Sequence, residues 1–440
     1  MIASLRNFWF KARASYWFWP ALFSLLALGL ALTTVWLDRT GQAAFLNDVE
    51  WLQPARPDGA SNMLTVIAGS MIGVASTVFS ITIAAVAYAS GNYGPRLLTN
   101  FMENRGNQLS LGVFIATFVF AITVLRSVRA EDEAGFLETQ SNALPGFVPQ
   151  LSLLTAYVLM GISIMVLVYF LNHVPSSIRI NSVLEGIGRR LIADIKVLFD
   201  RPARGEVMME VPEGRAVTAT ETGYIQGIDY ERLHRIAEKA GGHIKLAVRT
   251  GDFVHPRMPL VQWSDDDGLD DLHDTEVRKC MTLGGMRTPA QDLHFLIDEL
   301  VEIGLRALSP GINDPFTAIT VLHWLGAATA ELGRRNLDRA FGDNDDPEED
   351  RISLLSDDYA HFLNRGLGTM RSAVATSPPA TMVMFDVLSN ASTTLNDETR
   401  HALLIKEGEQ LVAQAREHLS GPDLHGVEAR HQSFLQAMDA

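Results

Sequence analysis

A chain of 440 residues has room for two or three domains, each with its own core. Its 36 basic and 51 acidic residues give a net charge of −15, a surface that repels phosphate backbones and argues against a nucleic-acid partner. The single cysteine, Cys280, excludes an intrachain disulfide and any multi-cysteine metal centre, and reads as a small buried hydrophobe.

The charge is unevenly spread. Through Pro175 there are nine basic and nine acidic residues, which leaves 27 basic against 42 acidic in the remainder. The neutral first part (1–175) carries four apolar stretches of the length needed to cross a bilayer as helices, about 20 residues. They are predicted at about 17–37, 62–90, 109–125 and 151–173. The first exceeds the roughly 7–15 apolar residues of a cleaved signal peptide and reads as a span. Trp9, Trp17, Trp19, Trp36 and Trp51 cluster about its ends, where interfacial aromatics belong.

Arg6, Lys11, Arg13, Arg96, Arg105, Arg179, Arg189 and Arg190 fall on one side of these spans. Arg39, Arg56, Arg126 and Arg129 fall on the other, among more numerous acids. The asymmetry predicts both termini in the cytoplasm. No Asp, Glu, Lys or Arg lies inside a span, and His173 near the end of the fourth reads as interfacial.

In the second span, Gly69, Gly73, Ser76, Thr77, Ser80, Ala84 and Ala87 recur every three or four residues, on one helical face. Such a stripe either packs helices closely or lines a pore around a symmetry axis; the sequence leaves both open.

After the spans, residues 176–204 are predicted as a juxtamembrane amphipathic helix. Ser182 and Glu185 form its capping box, and Leu184, Ile187, Leu191 and Ile195 its apolar face. Residues 205–265 read as β structure, with strands in GYIQGID and GGHIKLAVRTGDFV. A helix from Tyr230 to Ala240 lies between them, capped by Asp229 and ended by Gly241. The two motifs resemble the half-repeats of lipoyl-like barrel-sandwich domains. The resemblance implies a structural β module, since no modified-lysine signature is present.

Residues 275–440 read as a helical domain. Thr288-Pro289-Ala290-Gln291 is predicted to start a helix running to Leu308, with Glu302 and Arg306 as an i,i+4 pair. Ser309-Pro310-Gly311-Ile312-Asn313 makes a tight connection, and Asp314-Pro315 opens the next helix, through about Leu332. Arg287, Asp292, Asp298, Glu302, Arg306, Ser309, Asn313 and Asp314 form the densest polar set, a candidate ligand site or a set of caps, turn and ion pair. Gly342 to Asp350 reads as an acidic solvated loop, and Ser377-Pro378-Pro379 interrupts the later helices. The last long helix stops at Gly421-Pro422.

Ser90 to Phe114, GYIQGID, RTGDFV, GGMRTPAQD and above all RALSPGINDPFTA (Arg306 to Ala318) resemble a family of bacterial predicted membrane proteins catalogued as domain of unknown function 2254. The resemblance implies an inner-membrane location and a fused cytosolic domain, and brings no established activity.

No phosphate-binding glycine loop, dinucleotide fingerprint, zinc-protease motif or nucleophile elbow is present. His234, His243, His255, His273, His294 and His323 show no metal-ligand spacing, so neither metal nor cofactor is expected. The leading expectation is a homo-oligomeric channel or transport-like protein in the lipid bilayer, with a regulatory cytoplasmic domain. The alternative is a membrane-anchored sensor or scaffold whose cytoplasmic domain binds a ligand or protein partner; an enzyme at the membrane surface comes third.

Overall fold

The computed structural model describes residues 17–42, 56–94, 105–129, 146–177, 179–199, 215–264, 271–337, 351–355 and 357–438. The chain divides into two compact units, Met1–Arg179 and Ile180–Ala440. Trp9, Trp51, Arg96 and the acidic run at 342–350 lie outside the described residues.

The first unit holds four helices long and apolar enough to cross a membrane. They are α1 (Phe18–Arg39), α2 (Pro57–Tyr93), α3 (Arg105–Leu125) and α4 (Gln150–Ser177). Their hydroxyl residues bond back to the carbonyl one turn earlier, as Thr77 does to Gly73 at 3.0 Å and Thr82 to Val78 at 2.8 Å. An apolar environment can then be tolerated. The centre is α3, which packs against each of the other three and buries Phe114, Phe120 and Ala121 completely.

At Gly112 the ring of Phe23 from α1 comes so close that a Cβ would sit 2.9 Å from it. Thr117 and Ser163 share a buried hydroxyl–hydroxyl hydrogen bond of 2.9 Å between α3 and α4. Asp38, at the end of α1, accepts from the backbone N–H groups of Leu151 and Ser152 at 2.9 and 3.0 Å and from the Ser152 hydroxyl at 2.8 Å. It thereby caps α4 from another helix, placing a negative charge at the positive end of the dipole. His173 stacks on Tyr169 at 5.0 Å and lies against Gly106, so it belongs to a helix–helix contact.

The second unit is helical with two small sheets. It begins with α5 (Ile180–Leu198), whose Leu184, Ile187, Leu191 and Ile195 are buried. Ser182 is inside this helix and does not cap it; Glu185 pairs instead with Arg189 at 2.8 Å. The strands are β1 (Arg215–Thr218), β2 (Gly223–Ile228), β3 (His243–Leu246), β4 (Phe253–Val254), β5 (Pro259–Ser264), β6 (Met281–Gly284) and β7 (Ile352–Ser353). One sheet has the order β1-β5-β3-β7 and the other β4-β2-β6. The sheets share a core of Val217, Ile225, Ile244, Leu246, Val261 and Trp263.

Between β2 and β3, α6 (Tyr230–Ala240) is capped by Asp229, which accepts from the Arg232 N–H at 3.2 Å. It ends at Gly241 in the left-handed region. A short α7 (Asp271–Arg278) precedes β6. Cys280 is buried, and burial pushes its thiol up to about 11. Both β6 and β7 come from residues 275–440, read from the sequence as a helical domain. With four and two residues they are too short to display a period of two.

The helices that follow are α8 (Leu293–Ala307), α9 (Pro315–Gly333), α10 (Tyr359–Leu363), α11 (Thr369–Val374), α12 (Pro378–Ser392), α13 (Glu398–His418) and α14 (Gly421–Met438). A π turn (Asn364–Gly368) lies between α10 and α11. Gly421-Pro422 ends one helix and starts another. Buried Arg400 donates to the carbonyls of Gly333 and Arg335 at 3.0 and 2.9 Å, closing the negative end of α9.

The apolar face of α5 packs on α8 and α9, so this helix is part of the unit's core. At Gly188 the indole of Trp324 lies where a Cβ would be. Gly188→Val is expected to cost about 1–3 kcal/mol by overpacking, read as a lowered thermal midpoint.

Candidate functional site

Three sequence motifs meet at the N-terminus of α8. The predicted start at Thr288-Pro289 is displaced: α8 begins at Leu293, and Asp292 is its cap, accepting from the Phe295 N–H at 3.0 Å. The reason is tertiary. Gln291 adopts φ +57° so that its side-chain oxygen accepts from the Ile228 N–H at 3.0 Å and its carbonyl accepts from Thr250 Oγ1. The Gln226 amide donates to the Met286 carbonyl at 2.8 Å. GYIQGID, RTGDFV and GGMRTPAQD thus form one junction.

Arg287 is its centre. Its Nε and Nη2 donate to Asp292 Oδ2 at 3.0 and 2.7 Å, and its Nη1 donates to Asp298 Oδ2 at 2.5 Å. Asp298 also accepts two bonds of 2.8 Å from Arg365, which the π turn carries. Gly251, at φ +93°, leaves the space: a Cβ there would collide with the Asp292 carboxylate and approach Arg287 Nε to 3.0 Å. Beside this lies a second cluster. Asp357 pairs with Arg249 through Oδ1, while its Oδ2 is 3.2 Å from His294 Nε2. His361 Nε2 is 3.1 Å from His294 Nε2 and 3.7 Å from Asp357 Oδ1. His294 also stacks on Phe362 at 5.4 Å. A cavity of about 20 Å³, room for one water or ion, is lined in part by Arg249, Asp292, His294 and Asp357.

The electrostatics follow from the pairing. Burial pushes the Asp298 carboxyl up, but the guanidiniums of Arg365 and Arg287 reverse this and hold it below the ordinary value of 3.8. Burial raises Asp357 too, and the hydrogen bonds from His294 and Arg249 outweigh it, holding that carboxyl well below the ordinary range. For His361, burial lowers the imidazole; Asp357 opposes this, while His294, Arg249 and Arg365 reinforce it.

Of the polar set read from the sequence, Arg287, Asp292 and Asp298 come together. Glu302, Arg306, Ser309, Asn313 and Asp314 lie toward or beyond the other end of α8 and build a connection. There the Ser309 hydroxyl donates to the Arg306 carbonyl at 2.6 Å and the Asn313 N–H to the Ser309 carbonyl at 2.9 Å, with Asn313 at φ +49°. Asp314 caps α9, accepting from the Thr317 N–H at 3.1 Å and its hydroxyl at 2.6 Å. Sequence reasoning missed Arg249, Asp357, His361 and Arg365. Only the i,i+4 spacing of Asp357 and His361 hinted at them, because their partners lie more than 60 residues away.

In the first unit Gly69, Gly73, Ser76, Thr77, Ser80, Ala84 and Ala87 are all exposed. Nothing lies within 4 Å of a Cβ built on Gly69 or Gly73. The opposite face, with Leu64, Ile67, Met71, Ala75 and Val78, is buried.

Four helices long and apolar enough to cross a membrane, followed by a helical unit with small sheets, are the build of a membrane protein. The chain belongs to the family described as "Predicted membrane protein (DUF2254)", which matches residues 13–390. It is 27% identical over 360 residues to uncharacterized protein Rv1290c of Mycobacterium tuberculosis, covering 78% of this chain and 66% of that protein. The same figures hold for uncharacterized protein Mb1321c of Mycobacterium bovis. The match thus spans just under two thirds of these relatives' length. No solved structure matches.

Arg287→Ala leaves two carboxylates short of a buried partner and is expected to destabilise the second unit by about 3–5 kcal/mol in chemical denaturation. Arg287→Lys should recover little, since a point charge cannot replace the fork that serves both carboxylates. Because Asp298 and Asp357 have depressed values in the folded chain, their stabilisation is present above the unfolded value of 3.8 and is lost as pH falls below it. The thermal midpoint of the second unit should drop on acidification through that value, and less steeply in Arg365→Ala.

Proposed function

We propose that the chain is a homo-oligomeric, channel-like or transport-like protein of the bacterial inner membrane, with both termini in the cytoplasm. In this reading α2 helices from several copies meet around a common axis, and the acidic second unit is cytoplasmic and regulatory. The exposure of the whole small-residue face of α2 carries the reading. Gly69 and Gly73 have the G-x-x-x-G spacing that lets helix backbones approach closely in lipid. The Thr77 and Ser80 hydroxyls, bonded to their own helix, could face either a partner helix or a water-filled axis. The Lys/Arg asymmetry supports the orientation, and the two small sheets around one core leave a barrel-sandwich-like module as part of the proposal.

Light scattering of the detergent-solubilised chain should give a multimer, and Gly73→Leu should shift it toward monomer. Liposomes carrying the wild type should pass small ions or osmolytes, with flux altered in Ser76→Leu. A monomer that passes neither ends this proposal.

A second reading, a membrane-anchored sensor, is favoured by the polar junction at α8, where a half-exposed His361 borders buried charges. Asp292 and Asp314 both cap helices, so substituting either lowers stability whether or not a ligand binds there. The second unit's ligand response is better tested through His361→Ala, which should abolish a ligand-induced rise in thermal midpoint.

A further inference from the structure

We propose that His294, Asp357 and His361 form a binding site for one divalent transition-metal ion of the zinc class. Among the described residues these three are the group whose donor atoms converge, all within 4.8 Å of one another. The separations fit an ion. A tetrahedral centre with ligand bonds of about 2.0–2.1 Å has ligand–ligand edges of about 3.3 Å. Here the two Nε2 atoms are 3.1 Å apart and His294 Nε2 is 3.2 Å from Asp357 Oδ2.

Two imidazoles and a carboxylate are borderline donors, suited to zinc and its first-row neighbours and not to magnesium or calcium, which take oxygen. The surroundings are those of a built site. Arg249 pairs with Asp357 Oδ1, so Oδ2, the oxygen beside His294 Nε2, is the one placed to ligate, as an outer group commonly orients a ligating carboxylate. Phe362 stacks on His294 and fixes its ring. His294 and Asp357 have side chains only 9% and 11% exposed, while His361 is 37% exposed and marks the way in. Three protein ligands leave a fourth position for water or a second ligand.

The ion would also couple elements distant in the chain. His294 lies in the first turn of α8, Asp357 just before α10, and His361 within α10, three residues before the π segment that carries Arg365. Such π segments are frequent at functional sites. Binding would therefore draw the α10 segment onto the junction that Arg287 and Asp298 organise. This inference gives a chemical class to the ligand of the sensor reading and rests on it. A thermal response to some other ligand, with no zinc bound, would keep that reading and remove this one.

The test uses the full chain in detergent, stripped with a chelator and dialysed against Zn²⁺. The expected result is one tightly held zinc per chain, a raised thermal midpoint, and at least a 100-fold loss of affinity in His361→Ala, with His323→Ala unchanged. Mg²⁺ should neither bind nor compete. X-ray absorption of the zinc-loaded wild type should read two imidazoles and oxygen ligands, which keeps the test valid should the variant fold poorly. No zinc bound by the wild type, unchanged affinity in His361→Ala, or a zinc shell with fewer than two imidazoles would overturn the proposal.

Discussion

Arg287 holds two carboxylates that its surroundings would otherwise reject. The Asp292 side chain is closed to solvent and that of Asp298 largely so, and burying a carboxylate is costly unless a cation pairs with it. The same Asp292 caps α8, so the guanidinium also fixes where that helix begins. The order extends outward in steps. Gly251 gives up its side chain to make room, Gln291 twists into the left-handed region to tie β2, and Arg365 reaches in from the π turn to share Asp298. Sheets and helices of the second unit are joined at this point by charge and hydrogen bonds as well as apolar packing.

A buried ionic junction of this kind adds little net stability over an apolar one of equal volume. Breaking it is what costs, because removal of one member leaves a buried charge without its partner. The alternating charges Arg365, Asp298, Arg287 and Asp292, with Asp357 and Arg249 alongside, balance one another. The histidines His294 and His361 stand at the edge of that balanced set, where a change in local charge is felt by elements more than 60 residues apart. That is a suitable place for a ligand to act.

The first unit is organised differently. Its core is van der Waals packing around α3, with one carboxylate, Asp38, tying the end of α1 to the start of α4. The face of α2 with the least side-chain bulk is turned away from this core. Small residues let helix backbones approach closely in lipid, which is the property the proposed assembly of α2 helices uses.

Much of this was legible in local pattern. Four apolar runs, the acidic remainder, the cap at Asp229 with Gly241 closing α6, and Asp314-Pro315 opening α9 follow from interactions within a few residues, and those the sequence alone determined. Family membership was legible too, through RALSPGINDPFTA. The start of α8 departs from the local reading because Thr288-Pro289 has the chemistry of a helix start, yet the Thr288 hydroxyl is turned to the Gln226 carbonyl of β2 and Gln291 is held in the left-handed region. The short strands β6 and β7 escaped because their partners are distant. Only the tertiary structure decided which polar residues meet. Arg249, Arg287, His294, Asp357, His361 and Arg365 come from separate elements, and no periodicity encodes a contact whose partners are set by how those elements pack. The same reason left the stripe on α2 ambiguous: spacing places Gly69, Gly73 and Ser76 on one face, and only packing decides whether that face points inward or out.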